Sequence, residues 1–171
     1  MTIQHSTLAE VAERVRAHGM QVRESNYQIS FDVPELRIPG LEAVRFTVTE
    51  MAAEPLDLAV MAEAVVDGQE LRLPHPSLQV ASAVCEANAS DSIGGWIFDS
   101  DNGQLAYRRW LPCEWLVCQT DMATAVIEGP MSEWRYRFRK WQDLARKADS
   151  DPAAPSFMDR LCGMLRKGVA L

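Results

Sequence analysis

The stretch Gly94-Gly95-Trp96-Ile97-Phe98-Asp99-Ser100-Asp101-Asn102-Gly103-Gln104-Leu105-Ala106-Tyr107 decides the fold class. Two short apolar runs, Trp96-Ile97-Phe98 and Leu105-Ala106-Tyr107, flank a segment of Asp, Ser, Asn and Gly. Those residue types are selected by tight turns, because they tolerate positive φ or hydrogen-bond their own backbone. The reading is a β-hairpin. A helix ending near Asn88 precedes it, with the Gly94-Gly95 break between them. A hairpin laid directly after a helix predicts an α+β fold, and it places no catalytic group in the middle of the chain.

Working outward towards the N-terminus, three runs alternate apolar and polar residues, the period of a half-buried strand. They are Tyr27-Gln28-Ile29-Ser30-Phe31-Asp32-Val33, Val44-Arg45-Phe46-Thr47-Val48-Thr49 and Leu56-Asp57-Leu58-Ala59-Val60. The third continues as Met61-Ala62-Glu63-Ala64-Val65, which propensity alone leaves open between helix and strand. Three alternating runs in succession predict an antiparallel meander, and the continuation is read as strand. Pro34 and Pro39-Gly40 close the first run, and Pro74-His75-Pro76 ends the meander.

Helices are expected around this sheet. Leu8, Val11, Ala12 and Val15 recur at helical spacing after a Thr7/Glu10 capping box, and Gly19 is placed to stop that helix. Ser77 opens a middle helix with Leu78, Ala81, Val84 and Cys85 read as one face. After Pro112, Met122, Ala125 and Val126 form a short stripe that Gly129-Pro130 is expected to break. Ser132 then caps a longer helix to about Lys147. Residues 149–155 read as a linker, and Ser156 and Asp159 cap a last amphipathic helix over 156–171 with Phe157, Leu161 and Leu165 on one side. The expected architecture is one α+β domain over 1–148, with an antiparallel sheet of about five strands covered by helices. Its order is α-β-β-β-α-β-β-α, followed by the C-terminal helix.

Composition bounds the rest. A chain of 171 residues suits a single domain. The best apolar run, 56–66, carries Asp57 and Glu63 and falls well short of the roughly 20 residues that span a bilayer. Met1-Thr2-Ile3-Gln4-His5 lacks the basic-then-apolar order of a signal peptide. A cytoplasmic protein with free thiols at Cys85, Cys113, Cys118 and Cys162 is therefore expected. The net charge of −7 opposes general nucleic-acid binding, which needs surplus cations.

Each candidate for chemistry has a plainer reading. Counted from Asp99, the sixth and twelfth positions of a calcium loop hold Gln104 and Trp110 instead of Gly and Glu, so the segment is a hairpin turn. Cys113 and Cys118 lack a second ligand pair, and His75 and Cys85 are not placed beside them by the sequence. A zinc site is disfavoured, and the two cysteines are read as small buried apolar residues. His5, His18 and His75 are the only histidines, and none pairs recognisably with a nucleophile. No glycine-rich phosphate loop is present. The expectation is a protein without catalytic residues, cofactor or metal.

The sharpest local anomaly is Trp134-Arg135-Tyr136-Arg137-Phe138-Arg139-Lys140-Trp141. From 131 to 147 six Arg or Lys face Glu133 and Asp143, a balance of +4, which leaves −11 for the remainder of a −7 chain. Interleaved aromatics and cations suit single-stranded nucleic acid. However, Trp134, Phe138, Trp141 and Ala145 fall on one helical face and Arg135, Arg139 and Arg146 on another. The favoured reading is a core-packing amphipathic helix whose arginines meet the acidic body or a second subunit.

The chain also resembles the YbjN-like family, whose fold is that of class I type III secretion chaperones. The likeness is carried by Leu71-Arg72-Leu73-Pro74, Glu86-Ala87-Asn88, Gly95-Trp96-Ile97-Phe98-Asp99 and Asn102-Gly103-Gln104-Leu105-Ala106-Tyr107-Arg108. It spans roughly residues 8–147, and the Gly129-Pro130 break and the C-terminal helix depart from it. The resemblance implies a small homodimeric protein that binds an extended segment of a partner polypeptide without enzymatic activity. Contact is expected through apolar grooves and a sheet edge, with Trp96, Trp110, Trp134, Tyr136 and Trp141 as candidate partner-binding residues. All five are equally readable as core, Trp134 and Trp141 most of all. No nucleic acid and no membrane are expected as partners. The alternative is an acidic immunity or antitoxin-like inhibitor of a basic toxin, and a third reading is an enzyme using His75 or a cysteine.

Overall fold

The computed structural model describes residues 7–51, 57–73, 78–90 and 94–149. The readings made above for His5, Leu56, Pro74-His75-Pro76, Ser77, Cys162 and residues 150–171 lie outside the described residues. The elements in chain order are α1 (Thr7–Ala17), β1 (Arg23–Ser25), β2 (Gln28–Pro34), β3 (Ala43–Glu50), β4 (Asp57–Val66), β5 (Gln69–Glu70), α2 (Leu78–Ala89), β6 (Gly94–Asp99), β7 (Gln104–Pro112), α3 (Cys113–Val117) and α4 (Met122–Asp149). The fold is α+β.

One antiparallel sheet runs β1-β2-β3-β4-β7-β6, with β5 pairing on β4. It has seven strands where about five were expected from the sequence. The two extra are β1, with three exposed residues, and β5, with two. Neither is long enough to show an alternation, and both are carried by pairing with a neighbour. The three meander runs are β2, β3 and β4, and the ambiguous continuation of β4 is strand throughout. Its near-continuous burial follows from its central place between β3 and β7.

One rung of side chains crosses the sheet. Phe31 pairs with Phe46, Phe46 with Ala62, Ala62 with Tyr107, and Tyr107 with Trp96. The Phe31 and Phe46 rings stack at 5.2 Å between centroids. Because strand side chains alternate, this rung and its neighbours on the same face form the core, and helices cover them. α1 packs on β2, β3 and α4, while α4 lies over β3, β4 and β7. α2 packs on β6 and is tied to α4 by a Lys140–Glu86 ion pair of 2.8 Å.

α1 ends as its sequence predicts. Gly19 takes φ +81°, the Gly19 N–H donates to the Arg16 carbonyl and the Met20 N–H to the Val15 carbonyl. This is a Schellman cap, with Met20 folded onto the core.

The other helices differ from the sequence reading. α2 buries Val80, Ala83 and Ala87, and it exposes Ala81 and Cys85. The helix is rich in small apolar residues on every side, so sequence gives its period but not its phase. The phase is set instead by Asn88, which reaches β6 as described below.

α4 is a single helix of 28 residues, and neither does Pro130 break it nor does Ser132 cap it. Ala123, Val126, Pro130, Trp134, Phe138 and Trp141 are all buried, at spacings of three or four, so one apolar stripe runs straight through the proline. A mid-helix proline costs about 3 kcal/mol. Burying each large side chain returns about 1.5–3 kcal/mol, and several lie on each side of it. The helix starts instead at Asp121, whose Oδ1 accepts the Ala123 and Thr124 N–H groups at 3.0 and 3.3 Å.

Candidate functional site

The five candidate contact residues separate into two groups. Trp96, Trp134 and Trp141 are buried against one another, with the Trp96 ring 4.7 Å from Trp134 and 5.1 Å from Trp141. The Trp134 Nε1–H donates to the Ala62 carbonyl on β4 at 3.0 Å. These three hold α4 and the hairpin to the sheet and are removed as partner contacts. Trp110 and Tyr136 remain exposed, at 46% and 79%.

Trp110 lies on the face of the sheet that no described helix covers. Alternation places Ser30, Asp32, Arg45, Thr47, Met61, Glu63, Ile97, Arg108 and Trp110 there, opposite the core rung. This face has two halves. Around β2, β3 and β5 it is a network of ion pairs. Arg45 donates to Asp32 and to Glu70, each at 2.9 Å, and Arg72 donates to Glu70 at 2.6 Å. Around β7 it is apolar and cationic. The Arg108 guanidinium lies 5.1 Å from the centre of the Trp110 ring, and their cross-strand partners are Met61 and Ala59. Among the described residues Arg108 has no carboxylate partner.

Between the two halves sits Glu63, only 7% exposed, which accepts a hydrogen bond from Gln104 Nε2. Burial holds its carboxyl above the ordinary 4.5, with the Gln104 hydrogen bond and the Arg72 and Arg45 charges opposing and Glu70 adding. A carboxyl raised in the folded state favours folding below its unfolded value and opposes it once pH has risen through the folded value. The substitution Glu63→Gln, which keeps a carbonyl for Gln104, is therefore expected to raise Tm at pH 7 and to raise it less at pH 4. Thermal melts across that range check this, and a gain that is larger at pH 4 contradicts it.

The sheet edges are less open than the sequence suggested. β6 is an edge strand, but Asn88 of α2 occupies it. Its Oδ1 accepts the Trp96 N–H at 2.6 Å, and its Nδ2 donates to the Trp96 carbonyl at 3.0 Å. The opposite edge is the three-residue β1.

The cations of α4 are largely engaged within the chain. Arg135 Nε donates to Glu35 at 2.5 Å, and Arg137 Nε to Glu133 at 3.1 Å. Arg137 Nη2 donates to Ser90 Oγ at 2.6 Å. Glu35 is 3% exposed. Burial alone would raise its carboxyl, but the hydrogen bonds from Arg135 and the Arg37 N–H and both guanidinium charges outweigh this and hold it below 4.5. The basic helix thus meets the acidic body of its own chain.

Cys118 is exposed, with its Sγ donating to the Glu114 carbonyl at 3.2 Å, and Cys113 is only partly buried. The reading of this pair as buried apolar residues fails, because α3 is a five-residue helix with one buried position, Leu116. Among the described residues no group of His, Cys, Asp and Glu is arranged to hold a metal ion, and no helix is long and apolar enough to cross a membrane. Among the described residues His18, at the end of α1, reaches Asp121 at 3.1 Å and no nucleophile. Sequence reasoning missed Arg108 as a surface feature, since only the pairing of β7 with β4 shows which way it points. Compared with known proteins, the chain matches no family model, no curated protein and no solved structure.

Proposed function

We propose that this chain is a non-enzymatic, secretion-chaperone-like binding module, homodimeric as its resemblance implies. It takes an extended segment of a partner polypeptide on the helix-free face of its sheet. The observation that supports this is the Trp110–Arg108 pair: a half-exposed indole and a guanidinium without a carboxylate among the described residues, side by side above Ala59 and Met61. Trp and Arg are the side chains that most often dominate interface energies. The chemistry they select is a segment carrying an apolar side chain for the indole and a carboxylate for the guanidinium. Strand addition plays the smaller part, because Asn88 occupies the β6 edge at Trp96.

The test is a double variant, Trp110→Ala with Arg108→Glu, against partner chains captured from the native host and identified. The variant is expected to keep its Tm and to lose about 2 kcal/mol or more of partner affinity, some thirtyfold in Kd. Undiminished binding of the identified partner overturns the proposed face. Light scattering that finds only monomer over a wide concentration range overturns the homodimer.

A further inference from the structure

We infer that the cleft between α3 and the first turns of α4 binds a zwitterionic α-amino acid with an apolar side chain. The cleft encloses about 400 Å³, within the range of small-molecule sites, and its walls include Arg109, Trp115, Asp121, Glu128 and Gly129. Arg109 arrives on β7 facing the helices, because Tyr107 and Leu111 on either side of it are core. Its guanidinium carbon lies 5.5 Å from the centre of the Trp115 ring. On its other side stands Gly129, where a Cβ would come within 2.6 Å of Nη1, so the guanidinium lies close against the α4 backbone and a larger residue there would displace it. Arg109 Nε is buried and without a hydrogen-bond partner, and among the described residues no carboxylate pairs with this side chain.

Two carboxylates line the same cleft and neither neutralises it. Asp121 is committed: its oxygens accept the Ala123 and Thr124 N–H groups, the Thr124 hydroxyl at 2.6 Å and His18 at 3.1 Å. Glu128 is exposed and has no ion pair among the described residues. One uncommitted cation and one uncommitted anion therefore share a cleft without meeting. The ligand that satisfies both carries a carboxylate for Arg109 and an ammonium for Glu128. The half-exposed indole of Trp115, which the Arg109 guanidinium overlies on one side, then offers its remaining exposed surface to an apolar side chain. This site lies on the helix side of the sheet and is independent of the proposed partner face.

Calorimetric titration with L-phenylalanine and L-leucine tests the site. Two comparison probes are 3-phenylpropionate, which lacks the ammonium, and phenethylamine, which lacks the carboxylate. Saturable binding of at least one amino acid is expected, weaker by tenfold or more for either comparison probe, as befits loss of a charge-assisted hydrogen bond. Arg109→Gln and Glu128→Gln are each expected to weaken it by a similar factor. Glu128 is exposed, so its variant reports on binding even if Arg109→Gln perturbs the packing beside Gly129. No saturable binding of either amino acid, or equal binding by the single-charge probes or by Glu128→Gln, overturns the site.

Discussion

Replacing Trp134 by alanine is expected to destabilise the protein by about 4–6 kcal/mol, read as a shift in the urea midpoint at unchanged slope. Truncating a fully buried tryptophan costs about 3–5 kcal/mol in lost transfer energy and residual cavity. The Ala62 carbonyl then loses the indole donor that reaches it at 3.0 Å, which adds about 1 kcal/mol or more. The consequence is not local, because the Trp134 ring meets Trp96 at 4.7 Å, and Trp96 is what binds the hairpin to α4. Phenylalanine at 134 keeps most of the volume but not the donor, so Trp134→Phe should fall between wild type and alanine. Tyr136, two residues along and 79% exposed, is the internal control, and its alanine variant should lie within about 0.5 kcal/mol of wild type. If Trp134→Ala costs no more than Tyr136→Ala, α4 does not pack on β4 as described. Domains of this kind have only about 5–15 kcal/mol in all, so this one substitution brings the chain close to unfolding.

Gly103→Ala is expected to cost about 2–5 kcal/mol although it adds a single methyl group. Gly103 sits at φ +71° in the turn of the β6–β7 hairpin, where a side chain brings a strain of about 1–2 kcal/mol. The added Cβ would also lie 2.3 Å from the carbonyl oxygen of Leu73. That oxygen belongs to backbone held in place by the Leu73 N–H, which donates to the Gly103 carbonyl at 2.8 Å, and by the Arg72–Gln104 bridge. The clash cannot be relieved by a rotamer change, so the segment after β5 or the hairpin must shift, at about 1–3 kcal/mol. Gly68 is the control. It too has a positive φ, at +74°, but has open space around it, so Gly68→Ala reports the backbone strain alone. Equal losses at the two positions would show that the hairpin turn does not press on Leu73.

What the sequence made legible, and what it hid, follow from the same physics. Alternation identified β2, β3 and β4 because each buries one face or two over seven or more residues, long enough for a period to register. The hairpin was legible in its turn chemistry, where the Asp101 N–H donates to Asp99, the Gln104 N–H donates to Asn102, and Gly103 supplies the positive φ. β1 and β5 had no period to show. The phase of α2 was hidden because Ala81 and Ala83 carry the same side chain, and only tertiary contact distinguishes them. The break at Gly129-Pro130 was a sound local inference overridden by a buried stripe on both sides, and Gly129 lies within the helix beside the Arg109 guanidinium instead of ending it. Among the candidate contact residues, helical spacing rightly aligned Trp134 and Trp141 with the core. It had nothing to say of Trp110 or Arg108, whose exposure depends on the register between β7 and β4.

The amide of Asn88 amounts to a counterfeit strand. By offering one acceptor and one donor to Trp96, it gives the last strand of the sheet the appearance of having a neighbour. An open edge next to apolar residues is where sheets from separate molecules stack into fibres. Here a single side chain, delivered by the helix that directly precedes the hairpin in sequence, takes up both backbone groups of Trp96 on that edge. The protein thereby carries a half-exposed tryptophan on its helix-free sheet face while one rung of its outer strand is already paired.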